Sequence, residues 1–165
     1  MQTLVLFSHG KESGPWGSKI RVLADVARRH GAAVDSVDYS DLPSPEARVQ
    51  RLHGWPLPPH DRLVLVGSSM GGYVSTLASA AFKPAGLFLL APAFYVSGYA
   101  EQDPVPHATD TAIIHGWRDD IIPPEHSIRF ASRHRCDLHL VDGDHRLNDV
   151  LQQVEALFDD FFKRL

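Results

Sequence analysis

The run Leu63-Val64-Leu65-Val66-Gly67-Ser68-Ser69-Met70-Gly71-Gly72-Tyr73 decides how this chain folds. Four consecutive aliphatic residues read as a strand buried on both faces, the signature of a parallel sheet covered by helices. Gly67-Ser68-Ser69-Met70-Gly71 fits G-x-S-x-G, and a mostly apolar helix follows as far as Phe82, where Pro84 stops it. Such a turn is too tight for side chains at its flanks, because a Cβ there would meet the neighbouring strand and helix. It would push Ser69 clear of the sheet and set the helix's positive end near it. Ser69 is therefore the candidate nucleophile. Ser68 is the rival, at a position the motif leaves unspecified, and a plain turn with a serine cap is the simpler structural explanation. A phosphate-binding turn fits poorly: there is neither G-x-G-x-x-G at the first strand nor a Walker Lys-Ser/Thr pair.

Outward from this turn, apolar runs and helix-like stretches alternate. Leu4-Val5-Leu6-Phe7 is a strand ending at Ser8-His9-Gly10, and residues 16 to 30 carry Ile20, Leu23, Ala24 and Ala27 at helical spacing. Val34 to Tyr39 reads as a strand. Ser44-Pro45 opens a short helix as N-cap and N1, and Gly54 closes it. After the turn come strands at Leu87 to Leu90, Thr111 to Ile114 and Leu138 to Val141. Pro123-Pro124 starts one helix, and Leu147 through Phe161 form an amphipathic one. Six strands with helices between and after them predict a doubly wound α/β domain with right-handed crossovers, one domain over residues 1–165. Segment 91 to 109, rich in proline and aromatics, is the candidate functional loop.

Composition narrows the function classes. The chain has 165 residues, 44% hydrophobic and 22% charged, with a net charge of −4. No basic patch announces a nucleic-acid partner, and no apolar run is long enough for a membrane span. The N-terminus has no signal-peptide pattern, and the single cysteine, Cys136, has no disulfide partner in the chain, so a cytoplasmic location is expected. Oligomeric state is not legible.

Ligands of such sheets bind at the carboxyl ends of the strands. A serine hydroxyl is a weak nucleophile and needs a histidine to take its proton and an acid to orient that histidine. His145 follows the last strand in Asp142-Gly143-Asp144-His145, and Asp119 follows the fifth in His115-Gly116-Trp117-Arg118-Asp119-Asp120. Asp120 is the neighbouring alternative; Asp142 and Asp144 lie too close to His145 for easy geometry. A surface histidine and two helix-start carboxylates are the simpler explanation, and the ten histidines of the chain give it weight. The oxyanion donors expected are the backbone N–H groups of Met70 and, after the first strand, Lys11, with Glu12 next.

Together these residues resemble the α/β-hydrolase superfamily over essentially the whole chain. Within it they resemble the small cap-less bacterial esterases of the YqiA type. That likeness rests on the His9-Gly10 strand end, Gly67-Ser68-Ser69-Met70-Gly71-Gly72-Tyr73 and Gly143-Asp144-His145. The resemblance implies a minimal α/β-hydrolase fold of about six mostly parallel strands flanked by helices, without a cap. It implies hydrolysis of a small-molecule carboxylic ester or acyl thioester through Ser69, His145 and Asp119, with no metal or organic cofactor. Two further strands usually precede the His-Gly strand in that superfamily, and a shorter sheet is expected here. Segment 91 to 109 is too short for a helical cap, so the site should be open, with Phe94, Tyr95, Tyr99 and Trp117 as candidate lining and aromatic packing over the sheet edge as the equal alternative. Two other functions compete. One is a non-catalytic binding protein on a hydrolase scaffold. The other is a metal hydrolase drawing on His134, His139, Asp142, Asp144 and His145, although no H-E-x-x-H spacing exists.

Overall fold

The computed structural model describes residues 1–165. Six strands form one sheet: β1 (Thr3–Ser8), β2 (Ala33–Val37), β3 (Arg62–Ser68), β4 (Gly86–Leu90), β5 (Asp110–Gly116) and β6 (Asp137–Val141). Their order is β2-β1-β3-β4-β5-β6, and every neighbouring pair is parallel. Five helices connect and follow them: α1 (Ser18–Arg29), α2 (Pro45–His53), α3 (Met70–Phe82), α4 (Pro124–His134) and α5 (Leu151–Lys163). No helix is long and apolar enough to cross a membrane.

The continuous aliphatic runs are explained by two cores, one on each face of the sheet. Val5, Phe7, Val64, Val66, Phe88, Leu90, Ala112 and Ile114 pack with α1 and α5. The residues between them, Leu4, Leu6, Leu63, Leu65, Leu87, Leu89 and Ile113, pack with α2, α3 and α4. Successive side chains point to opposite faces, so a strand covered on both sides must be apolar at every position.

The chain leaves β1 toward β2 and returns across it to β3, so the direction of winding reverses between β1 and β3. Loops after these two strands run to opposite sides and leave a crevice between them. The loop after β1 and the turn after β3 face each other there.

Boundaries move where side chains compete for backbone groups. β2 stops at Val37 rather than Tyr39, because the Tyr39 amide bonds to His9 Nε2 at 2.9 Å and not to a strand. The last helix begins at Leu151 instead of Leu147: Leu147 sits at φ 60° and a short 3-10 turn, Asn148–Val150, comes first. Ser44 caps α2 as its sequence suggests, its hydroxyl accepting from the Ala47 amide at 3.2 Å. Segment 91–109 forms no helix and no cap. Its backbone is pinned from below: Glu46 accepts from the Ala100 amide at 2.8 Å, and Ser79 Oγ from the His107 amide at 2.9 Å.

Candidate active site

Ser69 stands between β3 and α3 at φ 55°, ψ −117°, a conformation that costs an ordinary residue free energy and persists only where the surroundings impose it. The surroundings are backbone. A Cβ on Gly67 would run into the Gly71 carbonyl, and one on Gly71 into the Ser8 carbonyl of β1. The two strands, the turn and the helix therefore approach at glycine distance only. The Ser69 amide donates to Leu90 O at 2.9 Å, and the Ser69 carbonyl accepts from Ala93 at 2.9 Å, which fixes the elbow to the end of β4.

The strand ends bring three distant residues into line. His145 Nε2 lies 3.0 Å from Ser69 Oγ, and His145 Nδ1 lies 2.7 Å from Asp119 Oδ2. The carboxylate can only accept, so Nδ1 carries the proton and Nε2 is left to accept from the serine hydroxyl. The Asp119 side chain is wholly buried. Burial alone would raise its pKa, but hydrogen bonds from His115, His145 and the Ile122 and Ile121 amides outweigh it and hold the carboxyl far below the usual range. Oδ1 accepts from the Ile121 and Ile122 amides at 2.9 and 2.8 Å, and Oδ2 accepts from both histidines.

The rival residues go elsewhere. Asp120 is exposed, and Asp142 pairs with Arg118 at 2.7 Å on the surface. Asp144 Oδ1 accepts from the Arg146 and Leu147 amides at 3.1 Å and shapes the turn that presents His145. Ser68 ends β3 with no histidine partner. Nowhere do three His, Cys, Asp or Glu side chains converge to hold a metal ion.

Beside Ser69 runs the loop after β1. A Cβ on Gly10 would stand 3.4 Å from Ser69 Cβ. The Gly10 carbonyl accepts from His9 Nδ1 at 2.7 Å and from Arg48 Nη1 at 3.2 Å. Across a planar trans peptide, C=O and N–H point in opposite directions, so anchoring the Gly10 carbonyl also aims the Lys11 N–H. That N–H has no partner within the protein. The Met70 N–H, at the first position of α3, has no acceptor within the helix. Two free donors therefore flank Ser69.

Three buried polar residues to which the sequence reading gave no role of their own do the anchoring. His9 Nε2 accepts from the Tyr39 amide, which fixes the proton on Nδ1; burial lowers its pKa and keeps the ring neutral. Arg48 is 2% exposed; its Nε donates to the Leu42 carbonyl and its Nη1 to the His9 and Gly10 carbonyls. His115, wholly buried, points Nε2 at Asp119 Oδ2 (3.0 Å) and the Ile122 carbonyl (2.8 Å), both acceptors, while Ser127 Oγ meets Nδ1 at 2.6 Å. Each left a faint signal. His9 adjoins the loop glycine, His115 stands four residues before Asp119, and Arg48 falls on the buried stripe of α2, four before Leu52.

A groove of about 880 Å³ opens over Ser69 and His145. Tyr99 lines it, but Phe94, Tyr95 and Trp117 do not. Phe94 turns inward and stacks on Phe130 with centroids 4.2 Å apart. Tyr95, at φ 57°, lies under Arg129, whose guanidinium is 3.9 Å from its ring. Trp117 is 55% exposed beyond the groove.

Residues 4–103 match the family model described as an uncharacterised protein family, UPF0227. The chain belongs to UPF0227. The match takes in the elbow and the loop after β1, while Asp119 and His145 lie beyond it. No curated protein sequence matches this UPF0227 chain. Among solved structures, a Xanthomonas campestris pv. campestris protein assigned to the α/β-hydrolase superfamily is similar at 29% identity and a TM-score of 0.86, over 98% of this chain and 99% of that one. A lidless α/β serine hydrolase of Xanthomonas campestris is 21% identical, with a TM-score of 0.72 over 98% and 81%. The mouse α/β-hydrolase domain-containing protein 10 is 18% identical, with a TM-score of 0.79 over 98% and 90%. The UPF0227 chain thus has the α/β-hydrolase fold without a lid.

Proposed function

We propose that the protein is a serine hydrolase acting on carboxylic esters or acyl thioesters through an acyl-enzyme. The observation that carries this reading is the continuous hydrogen-bond chain from Ser69 Oγ through His145 to buried, ionised Asp119. His145 Nε2 takes the hydroxyl proton as Ser69 Oγ bonds to the carbonyl carbon. The negative charge that develops on the carbonyl oxygen is held by the Met70 and Lys11 amides. When the tetrahedral adduct collapses, the bond to the leaving alcohol or thiol breaks and His145 returns the proton to it. Water then attacks the acyl-enzyme by the same route, releasing the acid and restoring Ser69. Asp119 stays ionised throughout and holds the imidazole tautomer.

A fluorophosphonate probe and p-nitrophenyl acetate test the proposal. The wild type is expected to label at Ser69 and to turn the ester over; Ser69→Ala is expected to do neither while keeping its circular-dichroism spectrum. Turnover retained in Ser69→Ala overturns the assignment. A wild type that neither labels nor turns over leaves a binding protein on a hydrolase scaffold.

A further inference from the structure

The groove beside Ser69 and His145 carries three cations, in a chain whose net charge is −4. Lys11, Lys19 and Arg146 line it, with Glu12 as the one carboxylate among the lining residues. Lys19 is the telling member. It is half-buried, and burial lowers its pKa. Its ammonium has three donors, yet it makes one hydrogen bond, to the Arg146 carbonyl at 2.7 Å, and forms no ion pair. Asp144 acts on it only at longer range, with Oδ1 occupied by the Arg146 and Leu147 amides. The side chains of Lys11 and Arg146 have no partner of either kind. A half-buried ammonium with no carboxylate in contact keeps unmet donors, and an anion can complete its shell. Other parts of the lining differ: Pro43, Pro45, Val96 and Tyr99 supply apolar surface. Beside these cations, the start of α1 at Ser18, with no capping side chain and no acidic residue in its first turn, adds its positive dipole end.

Resting on the serine-hydrolase reading, we infer that the substrate carries an anionic group, phosphate or carboxylate, on the leaving-group side of the scissile bond, held by Lys19 with Lys11 and Arg146. The side follows from the chemistry. The leaving group departs toward His145, which protonates it, and Lys19 is bonded to the residue directly after His145. The acyl chain then faces the apolar part of the lining.

Two pairs of thioesters test this and separate the sources of the anion. Acetyl-coenzyme A against neutral S-acetyl-N-acetylcysteamine reads phosphate; S-acetyl-3-mercaptopropionate against its methyl ester reads carboxylate. In at least one pair the anionic member is expected to have a kcat/KM roughly tenfold or more higher. The ratio within that pair should fall toward one in Lys19→Met and persist in Lys19→Arg, and taking ratios cancels any general loss of activity or folded protein. High salt should shrink it. Equal rates within both pairs, or a preference that survives Lys19→Met, overturns the inference. Calorimetric titration of Ser69→Ala with the same four compounds reads recognition without turnover. Should Ser69 prove not to be a nucleophile, tighter binding of an anionic member that Lys19→Met removes still supports the anion site, and equal binding still refutes it.

Discussion

The two ends of this site are built on opposite principles. At Asp119 every polar atom has a named partner, the side chain is sealed from water, and the carboxylate cannot change state without leaving donors unmatched. In the groove, cations stand without counter-ions, donors are free, and one wall is a loop with no regular structure. Preorganised dipoles act on a reaction only if they do not have to reorganise. A recognition surface, by contrast, keeps unmet bonding capacity for its ligand. Substitutions at the sealed end should therefore change kcat, and those in the groove should change KM or nothing.

The largest effect is expected from Asp119→Asn. The side chain keeps its size, but the amide can present an N–H to His145 Nδ1 and so favours the tautomer with the proton on Nε2, facing Ser69. A fall in kcat of about 10³- to 10⁴-fold with KM little changed is expected, from steady-state kinetics on p-nitrophenyl acetate. The same variant checks the electrostatics. A carboxyl held below its ordinary value binds its proton less readily in the folded state than in the unfolded one. Its contribution to stability is therefore complete above about pH 4 and is lost as pH falls toward the depressed folded value. Urea midpoints of the wild type should drop below about pH 4 more steeply than those of Asp119→Asn. Parallel curves would remove Asp119 as the ionised partner.

Arg48→Met breaks the other sealed element. Methionine keeps much of the buried volume and removes the donors on the His9 and Gly10 carbonyls. The peptide that aims the Lys11 N–H is then held by His9 alone. Losing one oxyanion donor outright costs about 10²- to 10³-fold, so a partly misaimed one should cost roughly 10- to 100-fold in kcat. Stability should fall by about 1–3 kcal/mol, the penalty for buried carbonyls left unpaired. An unchanged kcat would mean that the Gly10–Lys11 peptide takes no part in the chemistry.

The same contrast explains what was legible in the sequence. Strands buried on both faces declare themselves as unbroken aliphatic runs, and the turn glycines mark a backbone approach that no other residue allows. Ser69, Asp119 and His145 each follow a strand, so their common edge could be read from order alone. His9, Arg48 and His115 could not. They act through other residues' backbone and carboxyl groups, and an isolated buried polar side chain looks in sequence like an exposed one. Phe94 and Tyr95 of segment 91–109, which turn away from the groove that Tyr99 lines, were illegible for a related reason. Composition marks the loop, but the direction of each ring depends on a local φ and a partner, as with Tyr95 at φ 57° under Arg129.

The smallest effect is expected in the groove, and Tyr99 and Trp117 divide it. Tyr99 lines the apolar wall and packs edge-to-face on Tyr73 with centroids 4.8 Å apart. Removing it takes away apolar surface that contacts substrate in the ground state and the transition state alike. Tyr99→Ala should therefore raise KM for esters with longer acyl chains, by roughly 3- to 10-fold, with kcat steady. Trp117 directly follows β5, but its side chain is exposed and lies outside the groove lining. Trp117→Ala should leave kcat and KM within about twofold for every chain length, in keeping with the small effects of surface substitutions. A KM that rises with chain length in Trp117→Ala, and not in Tyr99→Ala, would move the acyl path from the wall beside Tyr99 to the rim beyond β5.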